Sequence, residues 1–98
     1  MKMLLIVFHQ SIVEHIHALM KEYEVSAFTE LHNVAGRGET GPTVQFFLSP
    51  GSNSMILTAV SEQLAYRLID GFTPFNANQG IGRHDNVHQF VLPCEQAV

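Results

Sequence analysis

A short glycine-rich stretch holds the residues of this chain that are best suited to binding an anion. Its sequence is Gly36-Arg37-Gly38-Glu39-Thr40-Gly41. Glycine lets a ligand approach the backbone closely, and arginine offers a planar fork of donors that suits phosphate or carboxylate. Two other interpretations stay open: the stretch is an ordinary polar turn between strands, or Glu39 pairs with Arg37 and holds the turn closed.

Six histidines offer a second kind of chemistry, the binding of a metal ion such as Zn, Cu or Ni. His84 and His88 are separated by three residues across a predicted loop–strand junction, so they could share one ion. His15 and His17 lie two apart on a predicted helix and point in different directions. The chain has no paired-cysteine motif and no His-Glu-x-x-His motif, which leaves surface or capping histidines as the alternative.

Catalytic motifs are not evident in the sequence. Cys94 has no histidine partner in its neighbourhood, so we interpret it as a small apolar residue. Ser49 and Ser52 lie in a predicted turn without a nucleophile motif, and neither a paired-carboxylate nor a phosphate-loop pattern occurs. The sequence therefore predicts that the protein is not an enzyme.

Composition limits the classes of partner and the number of domains. The 98 residues are 46% hydrophobic and 14% charged, which fits one compact domain spanning residues 1–98. The net charge of -4 and the lack of a basic run argue against a nucleic-acid partner. A single cysteine fits a reducing compartment, and no apolar stretch is long enough to span a membrane. We therefore expect a cytoplasmic protein that does not insert into membranes.

The pattern of apolar residues predicts alternating strands and helices. The predicted elements are a strand at Met3–Phe8, a helix at 11–24, a strand at Val25–Val34, one bent strand or two strands at Thr43–Leu48 and Ser54–Val60, a helix at 61–70 and a strand at Val87–Leu92. This order is typical of the α+β ferredoxin-like βαββαβ sandwich, an antiparallel sheet with two helices on one face. The other face is apolar enough that we expect an oligomer to cover it.

Local residue patterns predict where the helices begin and end. Ser11 and Glu14 have the spacing of a capping box at the start of the first helix. Ser61 is the predicted N-cap of the second helix, and Asp70–Gly71 is its predicted end. The polar, glycine-containing stretch Thr73–Asn86 is predicted to be a loop.

Several segments, in this order and spacing, resemble the P-II nitrogen regulatory protein family over nearly the whole chain. They are Met1-Lys2-Met3 opening into a strand, Thr29-Glu30-Leu31 leading through Val34 to Gly36-Arg37-Gly38, the runs Val44–Pro50 and Ser54–Val60, and the last strand and tail Phe90–Val98. Two departures stand out. Gly36 to Pro42 replaces the family's long T-loop and its modifiable tyrosine, and the chain ends at Val98, before the family's basic tail.

The resemblance implies a homotrimer with ligand clefts between subunits. Each cleft would lie between the turn Gly36–Gly41 of one subunit and the loop Thr73–Asn86 of its neighbour. Arg37 and Arg83 would then hold an anion, with Gly82 beside them and glycine N–H groups as further donors. An adenine nucleotide is the cofactor that this resemblance suggests.

Three functions are compatible with these features. The first is a regulatory module that senses a small anionic effector and signals to a protein target that the sequence does not identify. The second is a divalent metal-binding or metal-tolerance protein of a related trimeric fold, which would use its histidines. The third is a small enzyme, because one fold can host many chemistries.

Overall fold

The computed structural model describes residues 1–35, 53–77 and 87–95. Its elements are β1 (Lys2–His9), a 3-10 turn (Gln10–Ile12), α1 (Val13–Glu22), β2 (Thr29–Val34), β3 (Asn53–Val60), α2 (Glu62–Ala77) and β4 (His88–Pro93). This order confirms the predicted βαββαβ arrangement of the ferredoxin-like fold. The predicted strand at Thr43–Leu48 lies outside the described residues, so the choice between one bent strand and two stays open.

The four strands form one antiparallel sheet in the order β2-β3-β1-β4. β1 and β3 are central, and β2 and β4 are the edges. The register aligns Leu5 of β1 with Leu57 of β3 on one side and with Phe90 of β4 on the other. Because directly opposed residues of an antiparallel pair share a face, this register assigns every strand residue to one of two faces.

The hydrophobic core lies between one face of the sheet and the two helices. Alternate residues of β1, namely Leu4, Ile6 and Phe8, are buried, as strand periodicity requires. Ile16 of α1 and Leu68 of α2 are buried in the same cluster. The apolar residues that predicted β1 and the two helices thus also supply the core.

The start of the first helix differs from the predicted capping box between Ser11 and Glu14. The imidazole of His9 occupies the capping position instead, and its Nδ1 accepts a hydrogen bond from the Ser11 backbone N–H at 3.1 Å. A 3-10 turn follows, and Ile12, the N-cap of α1, makes no side-chain cap hydrogen bond. The capping box prediction is wrong because His9 already satisfies a free donor at this end.

α1 ends close to the predicted residue, in a Schellman motif built on a non-glycine residue. Glu24 has a φ of 62°, and its N–H donates to Lys21 O at 3.0 Å, while Val25 N–H donates to Met20 O at 2.8 Å. Val25 is buried in the core cluster next to this helix end. The second strand therefore begins at Thr29 rather than at Val25, because Val25 is engaged in closing the helix.

The second helix begins as predicted but does not end as predicted. Ser61 Oγ accepts a hydrogen bond from the Leu64 N–H at 3.2 Å, which confirms the N-cap. The helix then runs past the predicted stop at Asp70–Gly71, so the first part of the predicted loop Thr73–Asn86 is helical. Burial of Phe72 in the core favours this continuation.

Gly71 serves helix packing rather than helix termination. A Cβ at this position would lie 2.5 Å from Cε2 of the Tyr23 ring, which packs against α2 from the end of α1. The glycine thus permits a close approach between the two helices.

Neither helix within the described residues has the length and apolar character that a membrane span requires.

The sheet face that points away from the helices is strongly apolar, and we call it the open face. Its residues are Thr29, Leu31, Met55, Leu57, Ala59, Met3, Leu5, Val7, His88, Phe90 and Leu92, as the strand register assigns them. Three of these side chains are well exposed: Phe90 at 54%, Leu31 at 47% and Leu92 at 47%. A contiguous apolar face of this kind is typical of a surface that another chain covers.

Candidate functional site

The segments that carry the predicted anion-binding residues leave the sheet at the same end but from opposite edges. β2 ends at Val34, which pairs with Asn53 at the start of β3, and Asn53 also pairs with His9 at the end of β1. At the other edge, β4 begins at His88, which pairs with Val7 of β1. Three interstrand steps separate β2 from β4, a distance of about 14 Å. Within one copy, the points at which the two segments leave the sheet are therefore too far apart for one small ligand to contact both.

Most of the predicted site residues lie outside the described residues. They are Gly36, Arg37, Gly38, Glu39, Thr40, Gly41, Gly82, Arg83 and His84. His88 is described, and it is an exposed residue of the open face. The pairing of His84 with His88 on a metal ion therefore stays a prediction. In residues 1–35, 53–77 and 87–95, no group of three or more His, Cys, Asp or Glu side chains is arranged to hold a metal ion.

Two other histidines converge on one carboxylate where α1 packs against β2. His17 Nε2 lies 2.5 Å from Glu30 Oε1, and His32 Nε2 lies 3.1 Å from Glu30 Oε2. The Glu30 side chain is only 12% exposed, whereas those of His17 and His32 are 44% and 54% exposed. Because an ionised carboxylate can only accept, His17 Nε2 carries the hydrogen of its bond to Glu30. His32 Nε2 lies within ion-pair distance of the same carboxylate. We call His17, Glu30 and His32 the histidine–glutamate cluster.

A buried hydroxyl extends this cluster to the neighbouring strand β3. His32 Nδ1 lies 3.4 Å from Ser54 Oγ. When His32 is neutral with its hydrogen on Nε2, its Nδ1 is an acceptor, so the Ser54 hydroxyl donates to it. Carboxylate, imidazole and hydroxyl are also the components of a hydrolytic triad. Ser54 is completely buried, however, so its oxygen cannot reach a substrate and the arrangement is structural.

An irregularity in strand pairing determines where His32 lies. The register between β2 and β3 shifts between Leu31 and Val34, so His32 and Asn33 together lie opposite the single residue Ser54. Asn33 has a φ of 58°, a left-handed conformation that asparagine adopts more readily than most residues. This bulge brings the His32 imidazole beside Ser54. His32 lies four residues before the segment that begins at residue 36.

A separate groove lies between the end of α1 and the start of α2. It has a volume of about 420 Å³, and Glu22, Glu24, Ser61 and Arg67 contribute to its lining. The Arg67 guanidinium already stacks on the ring of Tyr23, 5.6 Å from its centroid. The two glutamates repel anions, so the groove does not have the character of an anion site.

Sequence reasoning missed the histidine–glutamate cluster. Glu30 and His32 are two apart on a strand and so share a face, and this alternation could have paired them. His17 is thirteen residues from Glu30, and no local spacing predicts that contact. It arises because the packing of α1 on the sheet brings the two side chains together.

Structures of similar fold include several of CPII, a nitrogen regulatory PII-like protein from Thiomonas intermedia K12. Its complex with ADP, AMP and bicarbonate is 26% identical to this chain with a TM-score of 0.71, covering 93% of this chain and 88% of that one. A complex with ADP and bicarbonate is 27% identical with a TM-score of 0.69, covering 92% and 81%. The apo form is 25% identical with a TM-score of 0.61, covering 93% and 89%.

Comparison by sequence matched the chain to a family model but to no individual curated protein. No curated protein matched the chain significantly. The family model for nitrogen regulatory protein P-II, in contrast, matches residues 1–98. The matched range includes every strand and helix of the described sheet and its two helices. This chain therefore belongs to the P-II nitrogen regulatory protein family.

Proposed function

We propose that this protein is a regulatory protein that binds an adenine nucleotide in clefts between the subunits of a homotrimer. The observation that carries the proposal is the family match over residues 1–98, together with the ADP bound by CPII at 26% and 27% identity. Proteins of this kind transmit a ligand-dependent change to a partner rather than transform the ligand. We therefore propose a single-domain, cytoplasmic, non-enzymatic protein.

The topology of the sheet supports clefts between subunits rather than within one. The segment that contains Arg37 follows the edge strand β2, and the segment that contains Arg83 precedes the opposite edge strand β4. Their roots lie at the same end of the sheet, about 14 Å apart. In a ring of copies, the β2 edge of one subunit faces the β4 edge of the next, so one anion can contact both arginines.

The open face supports the oligomer that such clefts require. It presents aliphatic and aromatic side chains from all four strands, including the exposed Leu31, Phe90 and Leu92. Burying apolar surface contributes roughly 25 cal/mol per Å², so three sheets that pack their open faces together would be stabilised substantially. The helices would then remain on the outside of the trimer.

Arg37 is the residue on which the ligand proposal depends most directly. Hydrogen bonds to a charged group contribute about 1.5–3 kcal/mol each. Replacing Arg37 with Ala is therefore expected to weaken nucleotide binding by roughly 10- to 150-fold. Arg37→Lys should recover part of the loss, because an ammonium keeps the charge but lacks the planar fork. Arg67→Ala is the matched control, since Arg67 stacks on Tyr23 away from the proposed cleft.

Calorimetry and native mass spectrometry test the proposal together. The purified protein is titrated with ADP, with AMP, with bicarbonate and with Zn²⁺, and its mass is measured with and without each ligand. We expect three protomers and nucleotide binding that Arg37→Ala weakens and Arg67→Ala leaves unchanged. A monomer, or a trimer that gives no heat with either nucleotide, would contradict the proposal.

The metal-binding alternative has its own outcome in this experiment. Binding of Zn²⁺ by a protein that ignores nucleotides would favour the histidine function. Loss of that binding in His88→Gln would then assign the metal to the predicted pair of His84 and His88. Among the described residues, no group of three or more His, Cys, Asp or Glu side chains is arranged to hold a metal ion, and His84 lies outside them.

A further inference from the structure

We propose that Gln89 recognises the base of the nucleotide, by accepting a hydrogen bond from the adenine amino group at its side-chain oxygen. The inference rests on the proposed function, because it assigns one further residue to the same cleft. The observation that carries it is a buried acceptor. Gln89 Oε1 is shielded from water, and no hydrogen-bond donor in the described part of the chain reaches it. Buried polar atoms without a partner are rare in proteins, so each one requires a specific explanation.

An acceptor in this position is costly for the protein alone. A buried oxygen that gains no donor raises the unfolding equilibrium constant roughly 5- to 150-fold. An apolar side chain of similar length would fill the same space without that cost. A donor from outside the described residues explains why an amide occupies the position. Such a group also confers specificity, because only a ligand with a matching donor relieves the cost.

The strand register places Gln89 on the helical face of the sheet and at one of its two edges. Gln89 of β4 pairs with Ile6, which is completely buried on the face that the helices cover. In the same row, Ile6 pairs with Ile56, and Ile56 pairs with Glu30 at the opposite edge. The row is therefore apolar in the centre and polar at both edges, and its side chains share the helical face.

The described part of the fold supplies a donor at one edge of this row but not at the other. At the β2 edge, His17 of α1 donates to Glu30 Oε1. The fully described side chains that α2 buries in the core are all apolar: Ala65, Leu68 and Phe72. The donor for Gln89 therefore comes from beyond these residues. β4 is an edge strand, and it adjoins the proposed cleft.

The chemistry of the acceptor selects the base of a nucleotide rather than its phosphates. Ionised phosphate oxygens are acceptors themselves, so they would repel Gln89 Oε1, whereas the arginines attract them. The adenine amino group offers N–H donors on a flat ring, and a glutamine amide can accept from it while donating to the neighbouring ring nitrogen. An apolar ring also suits the surroundings, because Val87 and Ile6 are both buried.

The chain length between Gln89 and Arg83 is compatible with one ligand that contacts both. Arg83 precedes Gln89 by six residues, and six residues span at most about 20 Å. This length allows the two side chains to contact opposite ends of one nucleotide. Gln89 would thus add recognition of the base to the anion binding proposed for Arg37 and Arg83.

The test compares ADP with inosine diphosphate (IDP), which carries an oxygen in place of the adenine amino group. Calorimetry measures the binding of both to the wild-type protein and to Gln89→Met, which keeps a similar length without the amide. In the wild-type protein we expect ADP to bind about tenfold more tightly than IDP or better, because the oxygen of IDP would face an acceptor. In Gln89→Met, the affinity for ADP should fall roughly 5- to 150-fold, and the preference for ADP should largely disappear.

Unfolding of the ligand-free protein identifies the source of the donor. Denaturant curves are measured at one protomer concentration, because oligomer stability depends on it. If the nucleotide supplies the donor, Gln89→Met should lower the unfolding equilibrium constant roughly fivefold or more, because it removes an unpaired buried oxygen. If Gln89→Met and Gln89→Leu are both less stable than the wild-type protein, the donor belongs to the protein itself and the proposal is overturned. Gln63→Met, which changes an exposed glutamine of α2, should alter neither stability nor binding.

Arg37→Ala distinguishes this proposal from the proposed function. Because Arg37 is assigned to the phosphates, Arg37→Ala should weaken ADP and IDP by similar factors, whereas Gln89→Met should weaken ADP more than IDP. If Arg37→Ala weakens ADP but Gln89→Met changes neither affinity nor preference, the proposed function stands and the role of Gln89 is wrong. If the wild-type protein binds neither nucleotide, both proposals fail.

Discussion

The close approach between Gly71 of α2 and the Tyr23 ring predicts an unusual response to a helix-favouring substitution. A Cβ at Gly71 would lie 2.5 Å from Cε2, 2.7 Å from Oη and 2.9 Å from Cζ of Tyr23. Nonbonded carbon atoms prefer separations of about 3.5–4.0 Å. In Gly71→Ala, the ring must therefore move by about 1 Å, which disturbs its contact with the Arg67 guanidinium.

Two opposing terms determine the free energy of unfolding of Gly71→Ala. Alanine is better than glycine inside a helix by about 1 kcal/mol. Overpacking costs roughly 1–3 kcal/mol, and disturbing an exposed cation–π contact costs about 0.5–1 kcal/mol more. Tyr23 is only half-buried and its ring edge can swing, so the strain lies near the lower limit. We expect a net destabilisation of about 1 kcal/mol.

A double-mutant cycle measured by urea unfolding separates these terms. In a Tyr23→Ala background the ring is absent, so Gly71→Ala should stabilise the protein by up to about 1 kcal/mol through helix propensity alone. The substitution should thus change sign between the two backgrounds. If Gly71→Ala stabilises the protein equally with and without the Tyr23 ring, the packing explanation for this glycine is wrong.

Two further predictions concern the end of α1 and the open face. Glu24→Gly should stabilise the protein by about 1 kcal/mol in thermal or urea unfolding, because Glu24 is left-handed, whereas Glu22→Gly inside the helix should destabilise it by about 1 kcal/mol. Equal effects at both positions would contradict the Schellman assignment. Phe90→Lys should convert the proposed trimer to monomers in analytical ultracentrifugation, because it places a charge on the proposed interface. Tyr66→Lys, which changes a residue of similar exposure on α2, should leave the proposed trimer intact.

The order of elements could be predicted because it depends on local patterns. β1 was predicted from an uninterrupted apolar run, and its alternate residues Leu4 and Ile6 are buried, as a strand with one face on the core requires. The N-cap at Ser61 was also correct, because a hydroxyl at this position satisfies a free N–H wherever the helix lies. Such features involve residues only a few positions apart.

Features that depend on contacts between distant residues could not be predicted in the same way. Gly71 resembles a helix end, and only the Tyr23 ring from α1 explains why a glycine lies inside a helix. Val25 has the composition of a strand residue, yet it closes α1. His9 displaced the expected cap because the strand delivers its ring to the helix start. In each case tertiary packing decides between two local structures of similar propensity.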